Sequence, residues 1–181
     1  MKILSWNVRG LGGFEKRREV CKLVREKQPF IICIQETKLS MFDDFVCHSI
    51  WGDCNVDFSY QPSIGASGGL VTMWDRNEVE VWSSLSFEHS LVIMGRCVKS
   101  GDQFIISNVY APGEVSRQEA LWSNISNRLI SLNGQNICIC GDFNAVRSSD
   151  ERRSVGSGSS QVGCAPFNQF IDGNVLIDLP L

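Results

Sequence analysis

The eight cysteines of this 181-residue chain include no Cys-x-x-Cys pair, the spacing expected of paired zinc or dithiol sites. Cys21 and Cys33 sit in apolar periodic segments, and Cys138 and Cys140 alternate within one strand-like run. That usage fits a reducing compartment and structural thiols; a metal pair at Cys138-x-Cys140 is the alternative. No apolar run approaches the length of about 20 residues that a membrane-spanning helix needs. The opening "MKILSWNVRG" meets Asn7 too early for a secretory signal. The expected location is therefore intracellular, not secreted and not in a membrane. Positive charge is also in short supply: 17 Lys and Arg stand against 20 Asp and Glu, a net −3. This excludes a protein that coats nucleic acid by bulk electrostatics. It leaves room for an enzyme that meets phosphates through a metal and a few local basic residues.

What is present is ample apolar material, 43% of the residues, enough for one domain spanning 1–181. "KILSWNV" alternates and stops at the turn "RGLGG". Phe14 to Lys27 is predicted as an amphipathic helix with Val20, Leu23 and Val24 on one face. The charges Lys16, Arg17 and Arg18 then fall on its solvated side. Pro29 follows the helix, "FIICIQE" is a buried strand, and Met41 to Trp51 holds a short helix. Five strand-like runs come next: "VDFSYQ", "GGLVTMW", "VEVWSSLSF", "SLVIMGRCV" and "QFIISNVY". His89 falls between two of them, in a strand or turn. Ser116 and Glu119 have capping-box spacing and predict a helix beginning at Ser116. The strand "NICICGDFN" follows. Residues 147–163 are polar and rich in Gly and Ser, a loop by composition. Phe167, Phe170, Ile171 and Val175 mark a last helix.

Four apolar runs share an unusual ending. "ILSW" ends at Asn7, "FIICIQ" at Glu36, "FIISNV" at Tyr110, and "NICICG" at Asp142 with Asn144 two residues on. An acid at the lip of a buried strand costs free energy unless it is shared or paired. Residues 2–37 and 103–144 each read strand–helix–strand, a connection that makes its two strands parallel. Within each unit the carboxyl ends share an edge, so Asn7 is expected near Glu36 and Tyr110 near Asp142. If the two units pack face to face, all five groups converge. Two carboxylates about 4 Å apart repel by about 4 kcal/mol at an effective dielectric near 20. A divalent cation removes that penalty, and oxygen-only donors suit Mg²⁺ or Mn²⁺.

The blocks "LSWNVRG", "IQETK", "NVYAP" and "GDFNA", in that order and spacing, resemble the signature blocks of the endonuclease/exonuclease/phosphatase superfamily, the DNase I-like and exonuclease III-like proteins. "MKILSWNVRGLGG" and "GDFNAVRSSDER" are most similar to the endonuclease domain of plant LINE-type non-LTR retrotransposons. The resemblance implies a four-layered α/β sandwich of two packed mixed sheets flanked by helices. It implies Mg²⁺-dependent cleavage of a DNA phosphodiester, in the nucleus, beside a reverse-transcriptase region of a longer polyprotein. Residue by residue, it implies Glu36 as principal metal ligand with Asn7 beside it, and Asp142 as the group that orients or deprotonates the attacking water. Asn144 would hold substrate or its catalytic neighbours, and Tyr110 would contact the scissile phosphate. Arg147, Arg152 and Arg153 would touch the DNA backbone.

Two later blocks of that superfamily, a further Asp and a Ser-Asp-His, are not found in the 181 residues. His48 and His89 are the only histidines and neither follows Ser-Asp; Asp178 matches a different segment. The expectation is a domain incomplete at its C-terminal side and impaired as a nuclease. The alternatives are a catalytically inactive fragment that keeps the fold, and another metal-dependent phosphoesterase acting on inositol phosphates, sphingolipid or RNA tails.

Overall fold

The computed structural model describes residues 1–65, 67–132, 134–148, 151 and 164–179. The chain divides into two compact units, Met1–Tyr110 with Gln135–Asp142, and Ala111–Gly134 with Phe143–Leu181.

The first unit holds both sheets. Strand β1 (Ile3–Asn7) leads through helix α1 (Phe14–Lys27) to β2 (Ile31–Gln35). The crossover makes β1 and β2 parallel, with Ile3 opposite Ile31 and Asn7 opposite Gln35. Helix α2 (Asp44–Trp51) follows, then β3 (Val56–Ile64) and β4 (Ser67–Asp75). These two form a hairpin, and β4 inserts between β3 and β2 to give the order β1-β2-β4-β3. β2 is thus an inner strand, with helices over one face and the second sheet over the other, and all five of its residues are buried. A strand in that position reads as a continuous apolar run rather than an alternation, which is why "IICI" shows no period. Ile32 and Ile34 pack toward α1 and α2 with Val20, Val24, Ile50, Val71 and Met73. Ile31 and Cys33 point the other way, into a second core with Trp74, Ile93, Phe104 and Ile106.

That second core joins the two sheets. Strands β5 (Val79–Phe87), β6 (Ser90–Cys97), β7 (Gln103–Tyr110) and β8 (Ile137–Asp142) lie in sequence order. β5, β6 and β7 are antiparallel neighbours, with a bulge between Val81 and Ser83. β8 is parallel to β7 and sets Tyr110 opposite Asp142. The two packed mixed sheets expected from the sequence are thus present, and His89 lies in the turn between β5 and β6.

The second unit contains helices α3 (Val115–Ser131) and α4 (Ala165–Gly173). They meet through an aromatic cluster: Trp122 lies 5.2 Å from Phe167 and 5.0 Å from Phe170, centroid to centroid. Two sequence expectations are corrected here. Ser116 does not cap α3. The helix begins one residue earlier with Glu114 at the cap position, and Ser116 Oγ donates to Glu114 Oε1 at 2.7 Å. A residue already inside the helical turn no longer has the extended backbone that a capping hydroxyl needs. Val175 is not part of α4; it lies past the end of the helix with φ 55° and is exposed. Among the described residues no helix is long and apolar enough to cross a membrane, and no group of three or more His, Cys, Asp or Glu is placed to hold a metal, Cys138 and Cys140 included.

Candidate active site

Four strand ends of the first unit meet. Each carries its polar residue because the parallel pairings put Asn7 beside Gln35, the residue before Glu36, and Tyr110 beside Asp142. Sheet-to-sheet packing brings the two pairs together. Asn7 Nδ2 donates to Asp142 Oδ2 at 2.6 Å and to Glu36 Oε1 at 3.3 Å. Tyr110 Oη donates to the same Glu36 oxygen at 2.6 Å. The orientation of the Asn7 amide is settled by its other end: the backbone N–H of Arg9 donates to Asn7 Oδ1 at 3.0 Å, and only oxygen can accept there. Asn7 therefore offers its nitrogen to the two acids. Carboxylates brought onto a common donor repel by roughly 3 kcal/mol at a separation near 5 Å and a dielectric near 20, and the shared amide offsets part of that.

The electrostatics follow from these contacts. The Tyr110 hydroxyl, more than any other group, holds the Glu36 carboxyl below the usual range; Asn7, Lys38 and Arg9 add to this, and burial opposes it. The Tyr110 phenol is pushed up to about 12, first by burial and then by the Glu36 carboxylate it serves. At neutral pH it is a protonated donor.

The loops after β1 and β2 are zipped together. Gly10 N donates to Glu36 O at 2.7 Å and Leu11 N to Thr37 O at 2.8 Å. Along these loops Arg9, Glu36 and Lys38 all take left-handed backbone angles, φ 53°, 52° and 56°, and Lys38 N donates to Gly68 O at 3.1 Å. Such strain in residues other than glycine concentrates at functional sites. It sets Lys38 Nζ 3.8 Å from Glu36 Oε2, and the charge of Arg9 reaches both Glu36 and Tyr110. On the other sheet Gly141 is obligatory. Its φ is 141°, and a Cβ there would strike the Val109 carbonyl oxygen, with the Val109 nitrogen at 2.8 Å.

Asn144 and Arg147 belong to the second unit. Asn144 has φ 47°. Its Nδ2 donates to Ala111 O at 2.7 Å, and its own carbonyl accepts from Gln118 Nε2 at 3.0 Å. Arg147 is committed to its own chain, with NH1 2.7 Å from Asp178 Oδ2, NH2 2.8 Å from Asp172 Oδ1 and Nε donating to Asn168 Oδ1 at 3.1 Å. Arg152 and Arg153 lie outside the described residues.

Sequence reasoning placed the four carriers but missed their supports. Arg9 and Lys38 lie inside "NVRG" and "ETK" and are visible only as charges next to the motif residues. Gln35, Asn108 and Thr72, each 1% exposed or less, are polar interruptions in apolar strands. That interruption was the signal available.

The profile of the Endonuclease/Exonuclease/phosphatase family matches residues 4–173. No curated protein sequence matches the chain. Among solved structures, the AP endonuclease LMAP from Leishmania major superposes with a TM-score of 0.73 at 17% identity, over 96% of this chain and 66% of that one. The 3′ phosphatase NExo from Neisseria, bound to a product DNA hairpin, gives 0.69 at 16% identity over 95% and 70%. The human Nocturnin catalytic domain with a bound sulfate anion gives 0.61 at 18% identity over 82% and 65%. The likeness is one of fold, the DNase I-like arrangement. The chain spans 65% to 70% of the length of these three structures.

Proposed function

The chain belongs to the endonuclease/exonuclease/phosphatase family, and from that premise we propose that it is a Mg²⁺- or Mn²⁺-dependent phosphodiesterase domain that nicks DNA. One observation carries this: two carboxylates from different sheets, Glu36 and Asp142, share one amide donor, with a protonated phenol on Glu36. The donor set is oxygen-rich, without imidazole or thiolate, and fits a hard divalent cation that completes its coordination with water and phosphate. Glu36 would be the principal protein ligand. The cation would lower the charge repulsion of an incoming phosphate and polarise it.

This chain's own residues supply the rest. Asp142, held by Asn7 Nδ2, orients the attacking water and takes its proton. Tyr110 can donate to a phosphate oxygen as charge builds there only by turning its single O–H away from Glu36. Arg9 and Lys38 give the rim fixed positive charge for a polyanionic strand. By the family resemblance, Asn144 would hold the substrate or the neighbouring catalytic groups. Arg147 enters DNA contact only by leaving Asp172 and Asp178. "MKILSWNVRGLGG" and "GDFNAVRSSDER" support a narrower role, target-site nicking for a LINE-type element. The partner would then be a reverse-transcriptase region of the same polyprotein, and the workplace the nucleus.

A second possibility has its own observation behind it. No Ser-Asp-His is found within these 181 residues, and wherever a group that binds the scissile phosphate is lacking the rate falls by about 10²–10³. The domain would then keep the fold and bind DNA without measurable cutting. Relaxation of supercoiled plasmid with Mg²⁺, against EDTA and Asp142→Ala, tests both. Slow nicking lost in both controls supports the nuclease. Metal-dependent binding without nicking supports the inactive form. Nicking that survives Asp142→Ala removes this site from the chemistry.

A further inference from the structure

One layer beneath the acids lies a second row of polar side chains that also crosses between the sheets. Gln35 Nε2 on β2 donates to Asn108 Oδ1 on β7 at 2.7 Å, and also reaches Ser5 Oγ and Cys33 O, each at 3.1 Å. Asn108 Nδ2 turns to β4, donating to Val71 O at 3.0 Å and Thr72 Oγ1 at 3.3 Å. Gln35, Asn108 and Thr72 are fully buried. The row repeats the site at a spacing of one or two residues. Gln35 precedes Glu36, Ser5 lies two before Asn7, and Asn108 lies two before Tyr110, on the same face of β7.

We propose that Gln35 and Asn108 are positioning residues: their hydrogen bond fixes the offset between the two sheets at which Tyr110 meets Glu36 and Asn7 spans Glu36 and Asp142. Around this row the sheets touch through Ile31, Trp74, Ile93, Phe104 and Ile106. Apolar contact is non-directional, so it favours closeness and tolerates sliding. A buried amide pair does not tolerate it, because a shift of an ångström leaves two desolvated amides unpaired. Tyr110 needs that accuracy, since its 2.6 Å bond to Glu36 crosses the same interface. Neither amide of the row reaches the substrate. The activity arm of the test rests on the nuclease proposed above; the structural arm does not.

The test compares wild type with Gln35→Met/Asn108→Leu, which replaces both amides with apolar side chains, and with Ile106→Val, which loosens the same core without touching a hydrogen bond. Crystal structures of all three are read for the Tyr110 Oη to Glu36 Oε1 distance, and plasmid nicking for kcat and KM. The double variant should lose the 2.6 Å contact, and its kcat should fall at least tenfold with KM little changed. Ile106→Val should keep both contact and kcat even though it melts earlier. If the double variant cannot be folded, Gln35→Met alone is read by the same criteria. A Tyr110–Glu36 contact still at hydrogen-bond length in the amide variant overturns the proposal, as does an equal loss in Ile106→Val. A wild type that does not nick defeats the nuclease and leaves the crystallographic comparison to decide the positioning role.

Discussion

Tyr110 and Glu36 stand 74 positions apart on different sheets, and the phenol of one donates to the carboxylate of the other at 2.6 Å. The bond is charge-assisted and partly buried. Tyr110→Phe should therefore cost about 1–2 kcal/mol in stability at neutral pH. The gap between wild type and variant should narrow at both pH extremes. The Glu36 carboxyl is lowered in the fold, so its contribution is present above the unfolded value near 4.3 and is lost as pH falls through the lower folded one. The Tyr110 phenol is raised to about 12, so its contribution is present below roughly 10 and is lost as pH rises to about 12. Thermal melts from pH 3 to 12 read both limbs. A gap independent of pH would mean that the bond does not form in solution.

Asn7→Asp replaces the shared donor with a third acid. Without metal at pH 7 the variant should be less stable than wild type by about 2 kcal/mol, and added Mg²⁺ or Mn²⁺ should return part of the loss. Melting with and without metal measures this. An Asn7→Asp protein as stable as wild type in EDTA would show that the amide does not bridge the acids.

Weak binding of Mg²⁺ or Mn²⁺ is expected to depend on Glu36. Calorimetric titration of Glu36→Gln should show at least about a tenfold loss of affinity. Equal affinity in the two proteins would remove Glu36 as a ligand.

Gly141→Ala should destabilise by more than about 2 kcal/mol, because the new methyl meets the backbone of Val109 and the position lies at φ 141°. Denaturant unfolding reads the stability. A change below 0.5 kcal/mol, on the scale of an ordinary surface substitution, would mean that β8 yields at no cost.

Arg9→Ala and Lys38→Ala should each lower the salt dependence of DNA binding by about one ion, read as the slope of log affinity against log salt. Arg147→Ala should leave that slope unchanged, since Asp172 and Asp178 already hold its guanidinium. Anisotropy titrations at several salt concentrations separate the three. A reduced slope in Arg147→Ala would return that arginine to the DNA-contacting set.

The sequence alone determined whatever depends on neighbours along the chain. The helix Phe14–Lys27 follows from a 3.6-residue stripe. The two strand–helix–strand units follow from connection length, and their parallel pairing from the helical crossover. The placement of Asn7, Glu36, Tyr110 and Asp142 at strand ends follows from where each apolar run stops. Tertiary structure decided what depends on contacts between distant segments. That β4 slips between β2 and β3 leaves no local trace, because a fully covered strand looks the same beside either neighbour. The direction of the Asn7 amide came from the Arg9 backbone, and the engagement of Arg147 came from acids 25 and 31 residues away. The buried row through Gln35 and Asn108 is the clearest case. In the sequence these are two unexplained polar residues in apolar strands. A buried amide is tolerable only with its partner, and only sheet packing supplies that partner across 73 positions of chain.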